Sequence, residues 1–145
     1  MSTNILTTSN IALNEQFNSK EEAVRYVGSL LHTQGYVEEA YIGQMLEREE
    51  VTSTYMGNFV AIPHGTEDGK KSVKETGITI VTVPEGVDFG DGNIVKLLIG
   101  IAGKGDEHLE VLSQIALVCS EEENIEKILQ AESRGAILSI FEEVN

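Results

Sequence analysis

The octapeptide FVAIPHGT holds the residues best placed for chemistry in this chain. Residues 59–62 form a short apolar run that is typical of a strand buried on both faces. Pro63 has no backbone N–H, so we expect strand pairing to stop there. His64 then falls at the carboxyl end of the strand, where open α/β sheets place their ligands. Gly65 permits a sharp turn and the close approach of a ligand, and Thr66 adds a hydroxyl and a backbone N–H. The alternative is a histidine that only caps a loop.

His108 follows the end of a second apolar run, residues 94–103, after a short loop that contains glycine. If these two strands are parallel neighbours, both imidazoles reach the same edge of the sheet. Such a pair is typical of metal ligation, of acid–base catalysis or of a phosphoryl carrier. Metal binding is the weakest of these, because three or four ligands are needed and neither HxxxH nor paired cysteines occur. The sequence also lacks a GxSxG elbow and a GxxxxGK[ST] loop.

A phosphoryl carrier needs few groups. One neutral imidazole nitrogen must be able to attack, while a hydrogen bond to the other nitrogen fixes the tautomer. Hydrogen-bond donors must surround the charge on the phosphoryl oxygens, and backbone N–H groups, a second histidine or an arginine can supply them. The residues named so far fit this requirement.

Two helices precede the central stretch. Ser19 and Glu22 form a capping box, apolar residues recur behind it at helical spacing, and Gly35 is placed to end the helix. His32 lies in its last turn, where a structural role is expected. A second helix is predicted over residues 38–49. Its charged end contains Arg48, which spacing alone does not distinguish from a solvated surface residue.

Strands and further helices follow. Residues 67–77 are polar and loop-like, and the β-branched run 77–83 predicts a central strand. Residues 84–93 predict a Gly- and Asp-rich excursion in which Asp88 and Asp91 are turn residues rather than metal ligands. Residues 94–103 predict the third strand. The remaining expectations concern the helices that end the chain: Asp106 as an N-cap, Leu109, Leu112, Ile115, Ala116 and Cys119 facing inward, and helices over 121–130 and 133–142.

The length favours one domain over residues 1–145. The order of the predicted elements, two helices, three strands and then further helices, favours an α/β fold with a mixed sheet sandwiched between layers of helices. The net charge of −14 disfavours nucleic acids and anionic membranes as partners and is compatible with a basic protein. The amino terminus has no signal-peptide pattern, and no apolar stretch is long enough to cross a bilayer. We therefore expect a cytoplasmic protein. Its single cysteine, Cys119, is expected in the core.

Two segments carry a resemblance to a known family. The segment MLEREEVTSTYMGNFVAIPHGT resembles the active-site region of the EIIA proteins of the bacterial phosphoenolpyruvate-dependent sugar phosphotransferase system, mannitol/fructose class. The segment GVDFGDGNIVKLLIGIAGKGDEHLEVLSQIALV is similar to that family's second conserved block. The similarity spans nearly the whole chain, and EREEVTSTYMGN and EGVDFG are most similar to the mannitol branch.

The resemblance implies that His64 accepts a phosphoryl group from phospho-HPr and passes it to the cysteine of a cognate EIIB, which serves the membrane protein EIIC. It implies that His108 assists and that Arg48 stabilises charge, with Gly65, Thr66 and Asn58 as further phosphoryl-binding candidates. Some mannitol-type relatives carry glutamate where this chain has Asn58, which leaves a carboxylate role there unsupported. No nucleotide, metal or organic cofactor is implied. Fructose-type EIIA and a regulatory EIIA-like module are the alternatives.

Overall fold

The described residues of this computed structural model are 6–104 and 107–143, without the side chains of residues 67, 107–109, 111, 112, 142 and 143. Ten helices and strands occur within them, along with 3-10 turns at Thr8–Asn10 and Glu67–Ser72. In chain order they are β1 (Ile11–Ala12), α1 (Lys20–Thr33), α2 (Ala40–Val51), β2 (Tyr55–Gly57), β3 (Val60–Ala61), β4 (Gly77–Asp88), β5 (Ile94–Ala102), α3 (Glu107–Cys119), α4 (Glu122–Gln130) and α5 (Arg134–Glu143).

Within the described part of the chain, five strands form one mixed sheet in the order β1-β4-β5-β3-β2. The central strand β5 pairs antiparallel with β4 and parallel with β3. Val60 and Ala61 of β3 lie opposite Leu97 and Leu98 of β5. The two strands are thus parallel neighbours, which meets the condition stated for the two histidines, and their carboxyl ends lie at one edge of the sheet.

Each face of the sheet has its own apolar core, as the alternation of side chains in β5 requires. Leu98 packs with residues of α1 and α2 such as Leu31 and Met45. Leu97, Ile99 and Ile101 pack on the other face with residues of α3, α4 and α5, which include Ile115, Ile128 and Phe141. Burying one such side chain contributes roughly 1.5–3 kcal/mol. The predicted α/β architecture, a mixed sheet between helical layers, is confirmed.

The predicted start and end of α1 are confirmed. The Ser19 hydroxyl accepts a hydrogen bond from the Glu22 N–H at 3.2 Å, while the Glu22 carboxylate accepts from Asn18 N–H, one residue earlier than in the expected box. Gly35 has φ +86°, a left-handed conformation that stops the helix. His32 Nδ1 lies 3.1 Å from the Val37 carbonyl oxygen, which agrees with a structural role.

The predicted strand over residues 59–62 is shorter than expected, and a strand before it was missed. Asn58 and Phe59 have φ values of +51° and +68°, so they form the tight turn of a β2–β3 hairpin. Phe59 is 46% exposed, and the prediction that it is buried within the strand is wrong. The left-handed backbone turns its side chain away from the sheet, and regular pairing begins at Val60.

Strand β4 continues through the first half of the segment predicted as an excursion, and the turn comes after Asp88. The pairing of β4 with β5 shifts register between Thr82 and Val87, which accommodates Pro84. In the turn, the Asp88 carboxylate accepts a hydrogen bond from Gly90 N–H at 2.7 Å, and Asp91 has φ +55°. Both aspartates therefore have the turn chemistry that was expected of them.

Helix α3 buries Ile115, Val118 and Cys119, but Ala116 is exposed, contrary to prediction. Residues 115, 118 and 119 share one helical face, and residue 116 is rotated away from it. Burial raises the pKa of the Cys119 thiol to about 12. The expected N-cap Asp106 lies outside the described residues, as do the side chains of residues 109 and 112. Among the described helices, none is long and apolar enough to span a membrane.

Candidate functional site

His64 lies beside the carboxyl end of β5, next to Ile101. Ile101 N–H donates to the Pro63 carbonyl at 2.9 Å, and His64 forms a parallel bridge with Ile101. Pairing therefore continues past Pro63, contrary to prediction, because proline lacks a donor but keeps its carbonyl acceptor. This pairing fixes the backbone of the histidine on the sheet rather than in a loose loop.

A main-chain carbonyl determines the tautomer of the His64 ring. Nδ1 lies 2.8 Å from the Ile62 carbonyl oxygen. A carbonyl only accepts hydrogen bonds, so Nδ1 carries the proton and the neutral ring has its lone pair on Nε2. Nε2 is therefore the nitrogen that can attack an electrophile such as phosphorus.

The electrostatic surroundings of His64 favour the neutral ring. Burial lowers its pKa from the ordinary value of 6.5, and the Arg48 charge lowers the pKa further. The hydrogen bond to Ile62 and the negative charge of Glu49 act in the opposite direction. Because the net shift is downward, the ring is neutral and nucleophilic at neutral pH.

A cavity of about 190 Å³ contains this ring. Its lining residues come from α2, from the segment after β3 and from the residue that follows β5: Tyr41, Arg48, His64, Gly65, Thr66, Lys70 and Gly103. Three of the predicted residues, Arg48, Gly65 and Thr66, thus share the cavity with His64. Arg48 also donates from Nη1 to the Thr52 carbonyl at 2.7 Å, a bond that holds the guanidinium at the end of α2.

Gly65, a predicted phosphoryl-binding residue, contacts Tyr41. Its N–H donates to the Tyr41 hydroxyl oxygen at 2.8 Å, and that hydroxyl donates to the Ile101 carbonyl at 2.8 Å. The Gly65 N–H is therefore engaged by protein rather than presented to a phosphoryl group. A Cβ at position 65 would lie 2.5 Å from Cε1 of Tyr41, so the close approach that requires glycine is made by this ring.

The Thr66 hydroxyl caps the 3-10 turn that follows it. Its Oγ1 accepts a hydrogen bond from Gly69 N–H at 3.1 Å, and the hydroxyl still carries a proton that it can donate. The same turn brings Lys70 to the cavity. Within the described residues, no cluster of three or more His, Cys, Asp or Glu side chains is placed to hold a metal ion.

The structure does not bring Asn58 to this cavity. Asn58 lies in the β2–β3 turn, at the amino end of β3, and lines a separate cavity of about 300 Å³ with Phe59 and Lys96. Its role as a phosphoryl-binding residue stays a prediction. His108 lies in the first turn of α3, after the end of β5, but its side chain lies outside the described residues.

Sequence reasoning missed three residues that matter at this site: Tyr41, Lys70 and Glu49. Tyr41 had been placed on the apolar face of α2, and its hydroxyl gave no signal of where it would bond. Lys70 is one of several lysines in a polar loop. Glu49 looked like part of a solvated charge cluster, yet it is only 5% exposed.

Comparison with known proteins assigns the chain to a family. Residues 4–144 match the family described as the phosphoenolpyruvate-dependent sugar phosphotransferase system, EIIA 2, and the chain belongs to this family. It is 61% identical over 145 residues to the mannitol-specific phosphotransferase enzyme IIA component of Geobacillus stearothermophilus, with 100% of each chain covered.

Two solved structures from Escherichia coli are similar in fold and sequence. IIA mannitol has a TM-score of 0.88 and 38% identity, covering 94% of this chain and 98% of that one. A complex of enzyme IIAMTL with phosphorylated enzyme IIBMTL has a TM-score of 0.90 and 37% identity, covering 95% and 97%. The resemblance stated from the sequence motifs is thereby confirmed.

Proposed function

We propose that this protein is a phosphoryl carrier of a mannitol phosphotransferase system. It takes a phosphoryl group from phospho-HPr on His64 and passes it to the cysteine of an EIIB protein that serves a membrane EIIC. The observation that carries the proposal is the bond between Nδ1 and the Ile62 carbonyl, which directs the lone pair to Nε2 in a cavity that also contains Arg48 and Lys70.

In the accepting step, the Nε2 lone pair attacks phosphorus as the nitrogen–phosphorus bond of phospho-HPr breaks. The bonding electrons return to the HPr imidazole, and the proton of His64 stays on Nδ1, where it remains hydrogen-bonded to the Ile62 carbonyl oxygen. In the donating step, a thiolate of EIIB attacks phosphorus and the Nε2 lone pair is restored. Neither step consumes water, so a docked partner that excludes solvent protects the intermediate from hydrolysis.

Positive charge supports both steps. In our proposal Arg48 and Lys70 balance the charge of the phosphoryl oxygens, Thr66 donates a hydrogen bond and His108 assists from the start of α3. Preorganised donors act on charge that develops during transfer, and the loss of one typically costs about 10²–10³ in rate. The binding partners are proteins, and we propose a cytoplasmic location and one working domain over residues 1–145.

The assignment to mannitol rests on the names of the relatives and on the motif similarity. The sugar meets EIIC rather than this chain, so specificity has to come from the surface that selects one EIIB. Phe59 and Met56 are exposed apolar residues of the β2–β3 hairpin, whereas Val60 is buried in the core. Fructose-type EIIB is the competing acceptor, and a purely regulatory role is the second alternative.

Transfer of a labelled phosphoryl group from phospho-HPr tests the proposed carrier function. Wild type should accept the label and His64→Ala should accept none. His32→Ala should behave as wild type, because His32 Nδ1 contacts the Val37 carbonyl oxygen near the end of α1 and His32 does not line the cavity. His108→Ala and Arg48→Ala should still be labelled but should transfer about 10²–10³ times more slowly to EIIB. Stable labelling of His64→Ala, read by mass spectrometry under alkaline conditions, would refute the assignment.

The acceptor is decided by offering the labelled wild type mannitol-type and fructose-type EIIB side by side. Faster transfer to the mannitol type is expected. Faster transfer to the fructose type overturns the choice of sugar and leaves the carrier chemistry intact. Labelling without transfer to either EIIB favours the regulatory alternative.

A further inference from the structure

Glu49 is a buried carboxylate that the proposed chemistry does not use. It lies in α2 beside Arg48 in sequence, and it is 5% exposed. Burying an ionised carboxylate is costly unless hydrogen bonds and a counter-charge compensate for the lost water. Lys20 Nζ, at 3.9 Å, supplies only a distant counter-charge, so most of the compensation comes from hydrogen bonds.

Those hydrogen bonds come from one residue of the segment that leads into β2. Thr54 donates to the Glu49 carboxylate twice, from N–H at 2.6 Å and from its hydroxyl at 2.6 Å. Charge-assisted bonds of this length are among the stronger ones in proteins. They fix Thr54 in both position and orientation against the end of α2.

Thr54 in turn holds the residue that orients the histidine. Ile62 N–H donates to the Thr54 carbonyl at 3.1 Å, and the Ile62 carbonyl accepts from Nδ1 of His64 at 2.8 Å. A continuous series of hydrogen-bonded residues therefore runs from Glu49 through Thr54 and Ile62 to the reacting ring. Movement of Thr54 would displace the Ile62 carbonyl that selects the tautomer.

We propose that Glu49 is a positioning residue for phosphoryl transfer, acting through Thr54 and Ile62 to hold His64 with its proton on Nδ1 and its lone pair on Nε2. This inference rests on the proposed role of His64. Glu49 itself does not touch the phosphoryl group, because both of its strong bonds go to Thr54 and it does not line the cavity. Its charge also reaches the ring, since it raises the pKa of His64 against the dominant effect of burial.

The test compares Glu49→Gln with Glu50→Gln, its exposed neighbour in the same helix. Glutamine keeps the shape but removes the charge that strengthens both bonds from Thr54. Nitrogen-15 NMR of the His64 ring reports the tautomer directly, and phosphorylation by phospho-HPr reports its consequence. We expect a population of the Nε2–H tautomer and roughly threefold to tenfold slower phosphorylation in Glu49→Gln, as for weakening one hydrogen bond. Glu50→Gln should match wild type in both.

A folded Glu49→Gln protein with the wild-type tautomer and rate would overturn the proposal. If that variant fails to fold, Thr54→Val decides, because it keeps the carboxylate and removes only the hydroxyl bond. A shift of the His64 tautomer towards Nε2–H supports the proposal, and an unchanged tautomer refutes it. The NMR result does not depend on phosphoryl transfer, so it stands apart from any failure of wild-type His64 to accept phosphate.

Discussion

At the scale of single residues, the protonation of His64 is the property that the structure constrains most. Burial is the largest influence and lowers its pKa, with opposing contributions from Arg48 and Glu49. We expect an NMR titration midpoint below 6.5. Arg48→Ala should raise the midpoint and Glu49→Gln should lower it. A wild-type midpoint at or above 6.5 would contradict the structure.

The same pKa has a consequence for stability. Between the folded and the unfolded pKa, the unfolded chain binds a proton that the folded chain does not. The free energy of unfolding should therefore fall as pH drops from about 6.5 through the lower folded pKa, and this contribution should be absent in His64→Gln. Denaturant titrations of both proteins across this range measure the difference.

At the scale of elements, the contact between α1 and α2 depends on a glycine. A Cβ on Gly28 would lie 3.0 Å from Cγ1 of Ile42 and 3.1 Å from Sδ of Met45, whereas a Cβ on Gly43 meets nothing within 4 Å. Alanine in a helix interior gains about 0.8–1.0 kcal/mol over glycine at either position. Overpacking between buried helices costs typically about 1–3 kcal/mol.

We therefore expect opposite effects from the two substitutions. Gly43→Ala should stabilise the protein by roughly 0.5–1 kcal/mol, and Gly28→Ala should destabilise it despite the same gain in helix propensity. Chemical denaturation of the matched pair measures both free energies of unfolding. Equal stabilisation by both would show that the two helices separate easily.

Local rules predicted much of the fold. The position of α1 was predicted from the Ser19 cap, from Gly35 and from the helical spacing of its apolar residues. The positions of β4 and β5 were predicted from two apolar runs. The β2–β3 hairpin was missed because its turn uses Asn58 and Phe59 with positive φ, a conformation that sequence assigns to glycine.

The site was predicted in part, for a comparable reason. His64, Arg48 and Thr66 were identified from sequence, and the structure brings them to one cavity. The engagement of Gly65 by Tyr41 could not be predicted, since it joins residues 24 positions apart through a side-chain hydroxyl. The burial of Glu49 likewise follows from how α2 meets the segment before β2, which helical spacing does not reveal.

At the scale of the whole molecule, the net charge is the electrostatic property that most affects stability. With 24 acidic and 10 basic side chains the charge is −14, and self-repulsion of this kind destabilises a compact state. Raising NaCl from about 0.01 M to about 0.15 M shortens the screening length from about 30 Å to about 8 Å. The melting temperature should rise over this range, and a Glu47→Gln/Glu50→Gln variant should show a smaller rise. A flat or falling response would contradict this account.

While the chain is folded, the buried thiol of Cys119 does not react with cysteine reagents. With 3% exposure and a pKa raised to about 12, it presents almost no thiolate to solvent. An alkylating reagent can therefore modify it only in molecules whose α3 face has opened. The rate of alkylation then measures how often that face opens. In a mixture with an acceptor that works through its own reactive cysteine, the reagent would mark the acceptor and leave this chain unmodified.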